Sequence, residues 1–266
     1  MSTPLEKQNH KWIFLEIFFS YPQKGRACRG GVSFYPDNSR VIHEGKKSVW
    51  IIGITGSIGA GKSFLSKSLE SLGVPVHSSD KYIHALLRDD KDIQKEIKKR
   101  WPKAVVKGKV DRRILGDCVL EAPSNLRILE SILYPKLLIS QKKFIKRNHK
   151  LRKKAVALDI PLLFEFGFER YCDCIILAVT SSFLRTKRVL RRQGMSLKKF
   201  KAFEAEQMND ANKGKLADFI VFCGGERESA LKKIRTILYH LFQNPMPKWQ
   251  GKWPSQVKKI PLKKIP

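Results

Sequence analysis

Four short apolar runs punctuate the chain, at 49–54, 155–160, 174–179 and 219–222, each rich in Val, Ile, Leu or Phe. Uninterrupted runs of that length suit parallel strands covered on both faces. A weaker run at 74–77 suggests a fifth strand. Between them the period lengthens to that of helices: Leu65, Leu69 and Leu72 share one face, as do Leu231, Ile234, Leu238 and Leu241. Strands alternating with helices predict a layered α/β fold around a five-stranded parallel sheet.

Two stretches interrupt the alternation. From about 81 to 150 the pattern is almost wholly helical, and Pro135 is expected to kink or break it. It is expected to form an insertion over the carboxyl edge of the sheet, where open α/β folds bind ligands. A basic helical stretch, about 182–217, is expected to form a second, smaller insertion. Residues 1–48 keep neither period and carry turn formers such as Gly30-Gly31 and Pro36-Asp37-Asn38, which describes a poorly structured extension. The last 23 residues, 244–266, hold five prolines among alternating Trp or Ile and Lys, which describes an extended basic tail. The expected domain between them is 49–243.

Composition narrows the class. With 266 residues and 42% hydrophobic content the chain can bury a core. The most apolar segment near the start, at 12–19, carries Glu16 and is too short to span a bilayer, so no membrane partner is expected. Five cysteines form no paired framework, which points to a reducing, cytoplasmic setting. The net charge of +29 is spread along the chain. Diffuse lysine is the signature of a solvated surface, so no nucleic-acid partner is expected.

The chemistry begins directly after the first strand, with Gly56-Ser57-Ile58-Gly59-Ala60-Gly61-Lys62-Ser63 opening an amphipathic helix. This is the G-x-x-x-x-G-K-S pattern of a P-loop in its required strand–loop–helix setting. Glycines let the loop wrap an anion with its N–H groups turned inward and the helix amino terminus aimed at the phosphates. Lys62 would bridge the β- and γ-phosphates and the Ser63 hydroxyl would hold Mg²⁺. The loop alone leaves GTPase, motor ATPase and small-molecule kinase open. No guanine-reading N-K-x-D element is present and the chain is short for a motor, which favours a kinase.

Further along, the sequence resembles the dephospho-CoA kinase family from about 50 to 241. The resemblance rests on Gly53-Ile54-Thr55-Gly56 running into the P-loop, Val76-His77-Ser78-Ser79-Asp80 with His84 beyond it, Val110-Asp111-Arg112, Leu133-Tyr134-Pro135 and Asp159-Ile160-Pro161-Leu162-Leu163-Phe164-Glu165. Arg188, Arg192-Gln193-Gly194, Gln207-Met208, Lys213 and Ala217-Asp218 continue it in order. It implies transfer of the ATP γ-phosphoryl, with Mg²⁺, to the ribose 3′-hydroxyl of dephospho-CoA, the last step of coenzyme A synthesis. It also implies a nucleoside-monophosphate-kinase-like P-loop core with a helical CoA-binding insertion and a lid, matching the two interruptions. Another small-molecule kinase of the same fold, a basic nucleic-acid-associated P-loop ATPase and a copy that binds ATP without turnover are the alternatives.

On this resemblance the nucleotide site is Gly56, Ser57, Ile58, Gly59, Ala60, Gly61, Lys62, Ser63 and the following Phe64. Asp80 becomes the base for the acceptor hydroxyl, although Ser78, Ser79 and Asp80 would all cap the next helix well. Asp159, ending a buried strand, would order the metal through water, with Ser63 as the direct ligand. Arg188 and Arg192, four apart, would close over the triphosphate, whereas Arg185, Lys187 and Arg191 fit an ordinary solvated face. Arg112 would meet acceptor phosphates or pair with Asp111 or Asp117, and His84 would touch substrate or sit as a plain helical histidine. Cys172 and Cys174 lack the partners of a metal site. Against the family pattern, Ser57 replaces Gly, Ser78 replaces Asp, Tyr134 replaces His, Asn209 replaces Pro and Gly214 replaces Arg.

Overall fold

The computed structural model describes residues 49–192, 195–244 and Trp253. The expected amino extension lies outside the described residues, as does most of the basic tail. The fold is a five-stranded, wholly parallel sheet in the order β2-β5-β1-β6-β7. Its strands are β1 (Trp50–Thr55), β2 (Val76–Ser78), β5 (Ala155–Asp159), β6 (Cys174–Val179) and β7 (Phe219–Phe222). All five fall within a residue or two of the apolar runs. β1 sits at the centre, between β5 and β6, and is buried along nearly its whole length.

Each face of the sheet has its own helical cover. Helices α1 (Lys62–Ser71) and α9 (Arg227–Gln243) pack Leu65, Leu69, Ile234 and Leu238 onto Ile52, Ile54 and Ile176. On the other face, Leu138 and Ile145 of α5 (Pro123–Lys150) meet Ile51, Val156 and Leu158. Register places Ile54, Ser78 and Asp159 side by side across β1, β5 and β2. The chain segments that leave these three strands therefore emerge together at one edge.

The helical stretch that begins after β2 has a hydrophobic core of its own. It comprises α2 (Ser79–Asp89), α3 (Lys91–Arg100), α4 (Arg112–Leu120) and α5, packed around Ile83, Leu87, Ile97, Leu115, Leu129 and Leu133. It also holds an antiparallel pair, β3 (Val105–Val106) and β4 (Lys109–Val110), that hydrophobic periodicity did not mark. The two are joined by Lys107 and Gly108, both at positive φ, the conformation that a two-residue hairpin turn demands.

Pro135 does not break the helix: α5 runs through it for 28 residues. The helix is clamped at both ends, by the insertion's core through Leu129 and Leu133 and by the sheet through Leu138 and Ile145. That packing outweighs the roughly 3 kcal/mol that an interior proline costs. The stretch at 182–217 resolves into three helices, α6 (Ser182–Leu190), α7 (Leu197–Glu206) and α8 (Asp210–Leu216). Of the expected tail, Asn244 and Trp253 are described, and Trp253 is buried: it packs among Ile145, Phe164 and Phe168, with its ring 5.6 Å from that of Tyr171. No helix among the described residues is long and apolar enough to cross a membrane, and Cys118, Cys172 and Cys223 are free thiols.

Candidate active site

The P-loop leaves β1 at Thr55 and enters α1 at Lys62. Two of its glycines are there for steric reasons. Gly61 caps α1 at φ +111°, where a Cβ would lie 2.5 Å from the Cβ of Cys223. Gly59, at φ +79°, lets the loop approach α6, where a Cβ would come within 2.8 Å of Val189 and 3.0 Å of the Arg185 carbonyl. No side chain caps α1, so its leading amides stay available to an anion, with the helix dipole behind them.

A cleft of about 720 Å³ opens over this loop. Gly56, Ser57, Ile58, Gly59, Gly61, Lys62, Ser63 and Phe64 form its floor, with Asp80, Arg188, Arg192 and Gln207 around them. Of the residues assigned to the nucleotide, Ala60 alone stands apart: it is fully buried and its amide bonds to Ser57 O at 2.9 Å. The volume suits a nucleotide-sized ligand.

Lys62 is the electrostatic centre. Its Nζ donates to Asp159 Oδ1 at 2.6 Å and lies 4.0 Å from Asp80 Oδ2. Asp159 Oδ2 accepts from the Ser66 hydroxyl at 3.0 Å. Both oxygens of Asp159 are thus engaged, and it stands behind the lysine rather than on the cleft wall.

Asp80 occupies the first turn of α2, and the capping role falls to Ser78, whose hydroxyl accepts from Lys81 N. The cap therefore leaves the Asp80 carboxylate clear to face the cleft. Burial pushes its pKa up to about 6; Lys62 pulls the other way, and the charge of Asp159 adds to the rise. A carboxyl poised near 6 is matched to taking a proton at neutral pH.

The arginines divide differently from the sequence expectation. Arg188 donates to Gly59 O at 3.2 Å and Cys223 O at 2.8 Å, which pins it to the P-loop's rim. Arg192 lines the same cleft and is exposed. Arg185, assigned to a solvated face, is buried and paired with Asp210 at 2.7 Å and with Glu204. The spacing 185, 188, 192 puts all three on one helical face, a signal that charge counting overlooks.

Asp210 also accepts from the Ser57 hydroxyl, so the residue replacing the family's glycine ties the P-loop to α8. Gln207 Oε1 accepts from Ile58 N at 3.1 Å. Deeper down, Glu165 Oε1 accepts from Met208 N at 3.1 Å and lies 3.0 Å from Nζ of Lys213, which is completely buried. That contact is an ion pair without hydrogen-bond alignment, and Glu165 Oε2 has no hydrogen-bond partner among the described residues either.

The remaining substitutions have local accounts. Asn209 caps α8 by accepting from Asn212 N at 2.8 Å. Tyr134 is buried in the insertion's core with its ring edge-on to Phe166. Gly214 has only Ile220 in ordinary contact range of an added Cβ. Asp111 caps α4 and pairs with Arg113 rather than Arg112, while the charge of Arg112 helps to lower the pKa of His84 after desolvation. Among the described residues no cluster of three His, Cys, Asp or Glu forms a metal cage. The donor set, the Ser63 hydroxyl on the cleft floor and carboxylates near it, fits a hard cation that arrives on a polyphosphate rather than one held by protein alone.

Comparison with known proteins identifies the family. Residues 50–228 match the family model for dephospho-CoA kinase. The chain is 37% identical over 191 residues to dephospho-CoA kinase from Agrobacterium fabrum, covering 72% of this chain and 97% of that one. The corresponding protein of Bradyrhizobium diazoefficiens is 37% identical over 195 residues, covering 73% and 97%. Among solved structures, TT1252 from Thermus thermophilus superposes with a TM-score of 0.64 at 34% identity, covering 73% of this chain and 99% of its own. Dephospho-CoA kinase from Campylobacter jejuni gives 0.51 at 26% identity, covering 72% and 96%. With residues 50–228 matched by the family model and relatives at 37% identity covered over 97% of their length, the chain belongs to the dephospho-CoA kinase family.

Proposed function

We propose that this chain phosphorylates the ribose 3′-hydroxyl of dephospho-CoA with ATP, giving coenzyme A and ADP. The observation that carries the reading is that Lys62 Nζ lies 4.0 Å from the Asp80 carboxylate inside one cleft floored by the P-loop. A triphosphate end and an acceptor alcohol would meet there. Asp80 takes the hydroxyl proton as the alcohol oxygen bonds to the γ-phosphorus and the bond from that phosphorus to the β–γ bridging oxygen breaks. Lys62 leaves Asp159 for the phosphates, which repay it with a denser negative charge, and Arg188 and Arg192 offset charge on the transferring group.

Ser63 would hold Mg²⁺, with Asp159 acting through water; the ion neutralises phosphate charge when bound. The insertion built from α2 to α5 would carry the acceptor, and α6 to α8 would form the lid. The reaction is placed in the cytoplasm, where the free thiols stay reduced. The comparisons do not favour another small-molecule kinase or a nucleic-acid-associated ATPase.

A coupled ADP-release assay with ATP, Mg²⁺ and dephospho-CoA tests this. Wild type should turn over without polynucleotide, Lys62→Ala should lose nucleotide affinity and turnover, and Asp80→Asn should lose turnover while keeping nucleotide. Turnover on shikimate or a nucleoside monophosphate but not on dephospho-CoA would overturn the substrate assignment. Full turnover by Asp80→Asn would remove that residue from the mechanism.

A further inference from the structure

Gln207 has no role in the reaction as derived so far, yet it shares a cleft with Lys62, Asp80, Arg188 and Arg192. Its side-chain orientation is fixed by one contact. Oε1 accepts from the backbone N–H of Ile58, at 3.1 Å, so the oxygen end of the amide is committed to the P-loop. An amide is planar and carries its donors on the opposite arm. The Nε2 group, with two N–H donors, has no protein acceptor among the described residues and belongs to a side chain that walls the phosphate cleft.

The segment around Gln207 is anchored by its neighbours. Immediately after it, Met208 N donates to Glu165 Oε1 at 3.1 Å. Asp210 takes the Ser57 hydroxyl and the Arg185 guanidinium, and Lys213 is buried against Glu165 at 3.0 Å. These contacts reach the P-loop, α6 and the loop after β5. A side chain held by its own bond to Ile58, on a backbone whose neighbours are anchored, needs little ordering when the ligand arrives, which is the condition under which a hydrogen-bond donor accelerates a reaction most.

We infer that Gln207 is a phosphate-contacting residue of the reaction: its Nε2 donates to the terminal phosphate of ATP and follows that group through transfer, while its Oε1 stays on Ile58. Lysine and arginine supply charge to the transferring group; a neutral amide supplies direction, without an added cation to hold the product back. The inference rests on the kinase reading above, and wild-type turnover of dephospho-CoA tests that reading separately.

The decisive variant is Gln207→Glu, which keeps an acceptor for Ile58 N–H but replaces the donors with a carboxylate oxygen. Gln207→Met keeps the length and removes both functions. Turnover is measured with dephospho-CoA; affinities are measured by calorimetry for ADP and for a non-hydrolysable ATP analogue, and thermal midpoints confirm folding. Loss of one donor to a developing charge costs about 10²–10³ in kcat, so both variants should fall at least that far. Gln207→Glu should bind the ATP analogue more weakly while binding ADP as wild type does, because ADP lacks the group that Nε2 addresses. Near-wild-type kcat in Gln207→Glu would overturn the inference, leaving Gln207 as a brace for the P-loop. Equal weakening toward ADP and the ATP analogue in either variant would do the same. Should Gln207→Glu fail to fold, the ADP-against-analogue comparison in Gln207→Met decides.

Discussion

Replacing Asp80 by Asn should stabilise the folded chain as it destroys turnover, and the stabilisation should depend on pH in a defined direction. Asp80 titrates near 6 in the folded state against an ordinary 3.8, chiefly because burial disfavours its charge. Between those values the folded protein holds a proton that the unfolded chain has released. Stability therefore falls as pH rises through that window, and the cost is complete above about 6. Each tenfold in the acid constant is about 1.4 kcal/mol, so the charged carboxylate costs the fold on the order of 3 kcal/mol at pH 8.

That figure is an upper bound, since the side chain is 27% exposed and keeps some water. Asparagine carries no such cost. For a domain of this size 1 kcal/mol moves the melting temperature by about 2–4 °C, so the variant should melt above wild type at pH 8, by at most roughly 6–12 °C. The two should converge near pH 4, where wild-type Asp80 is protonated. Scanning calorimetry of both proteins from pH 4 to 8 reads the difference directly, and general acid loss of stability cancels in it. A gap that does not change with pH, or a variant that melts below wild type at pH 8, would refute the assignment of a raised pKa. Turnover should meanwhile drop by about 10²–10⁴, the usual contribution of a positioned base.

Other consequences follow from the same structure. Lys213→Met leaves Glu165 buried without its cation and should cost about 3–5 kcal/mol by chemical denaturation; the double variant with Glu165→Leu should recover much of it, because the partner charge goes too. Gly61→Ala puts a Cβ 2.5 Å from that of Cys223 at a positive φ, so ADP binding by calorimetry should be lost even where the fold survives. Trp253→Ala empties a site against Tyr171 and Phe168 and should lower stability by about 3–5 kcal/mol; an unchanged melting temperature would show that the tail contributes nothing to the core. The pH dependence of kcat/KM should show an acid limb near 6 in wild type, set by the free Asp80 carboxylate.

Much of this was legible before any coordinates. The strands could be read because a parallel strand buried on both faces must be apolar throughout, as 51–54, 155–158 and 174–178 are. The P-loop could be read because close wrapping of phosphate admits few sequences. Pro135 does not end α5 because its cost is local, whereas the packing that offsets it comes from Leu129 on one side and Leu138 on the other, in separate cores. The hairpin at 105–110 escaped notice because two-residue strands carry no measurable period.

The candidate site shows the same division. The sequence, with the family it resembles, nominated residues for the chemistry: Lys62, Ser63, Asp80, Asp159, Arg188 and Arg192 all carry groups that phosphoryl transfer uses. It could not say that Ser78 takes the cap and frees Asp80, that both oxygens of Asp159 are occupied, or that Arg185 is buried against Asp210. Those facts depend on partners tens of residues distant, and a side chain's ionisation and direction are set by what surrounds it in space. What the chain could become was fixed by local pattern; which charges face the cleft, and which brace it, was decided only when the sheet brought positions 54, 78 and 159 into line.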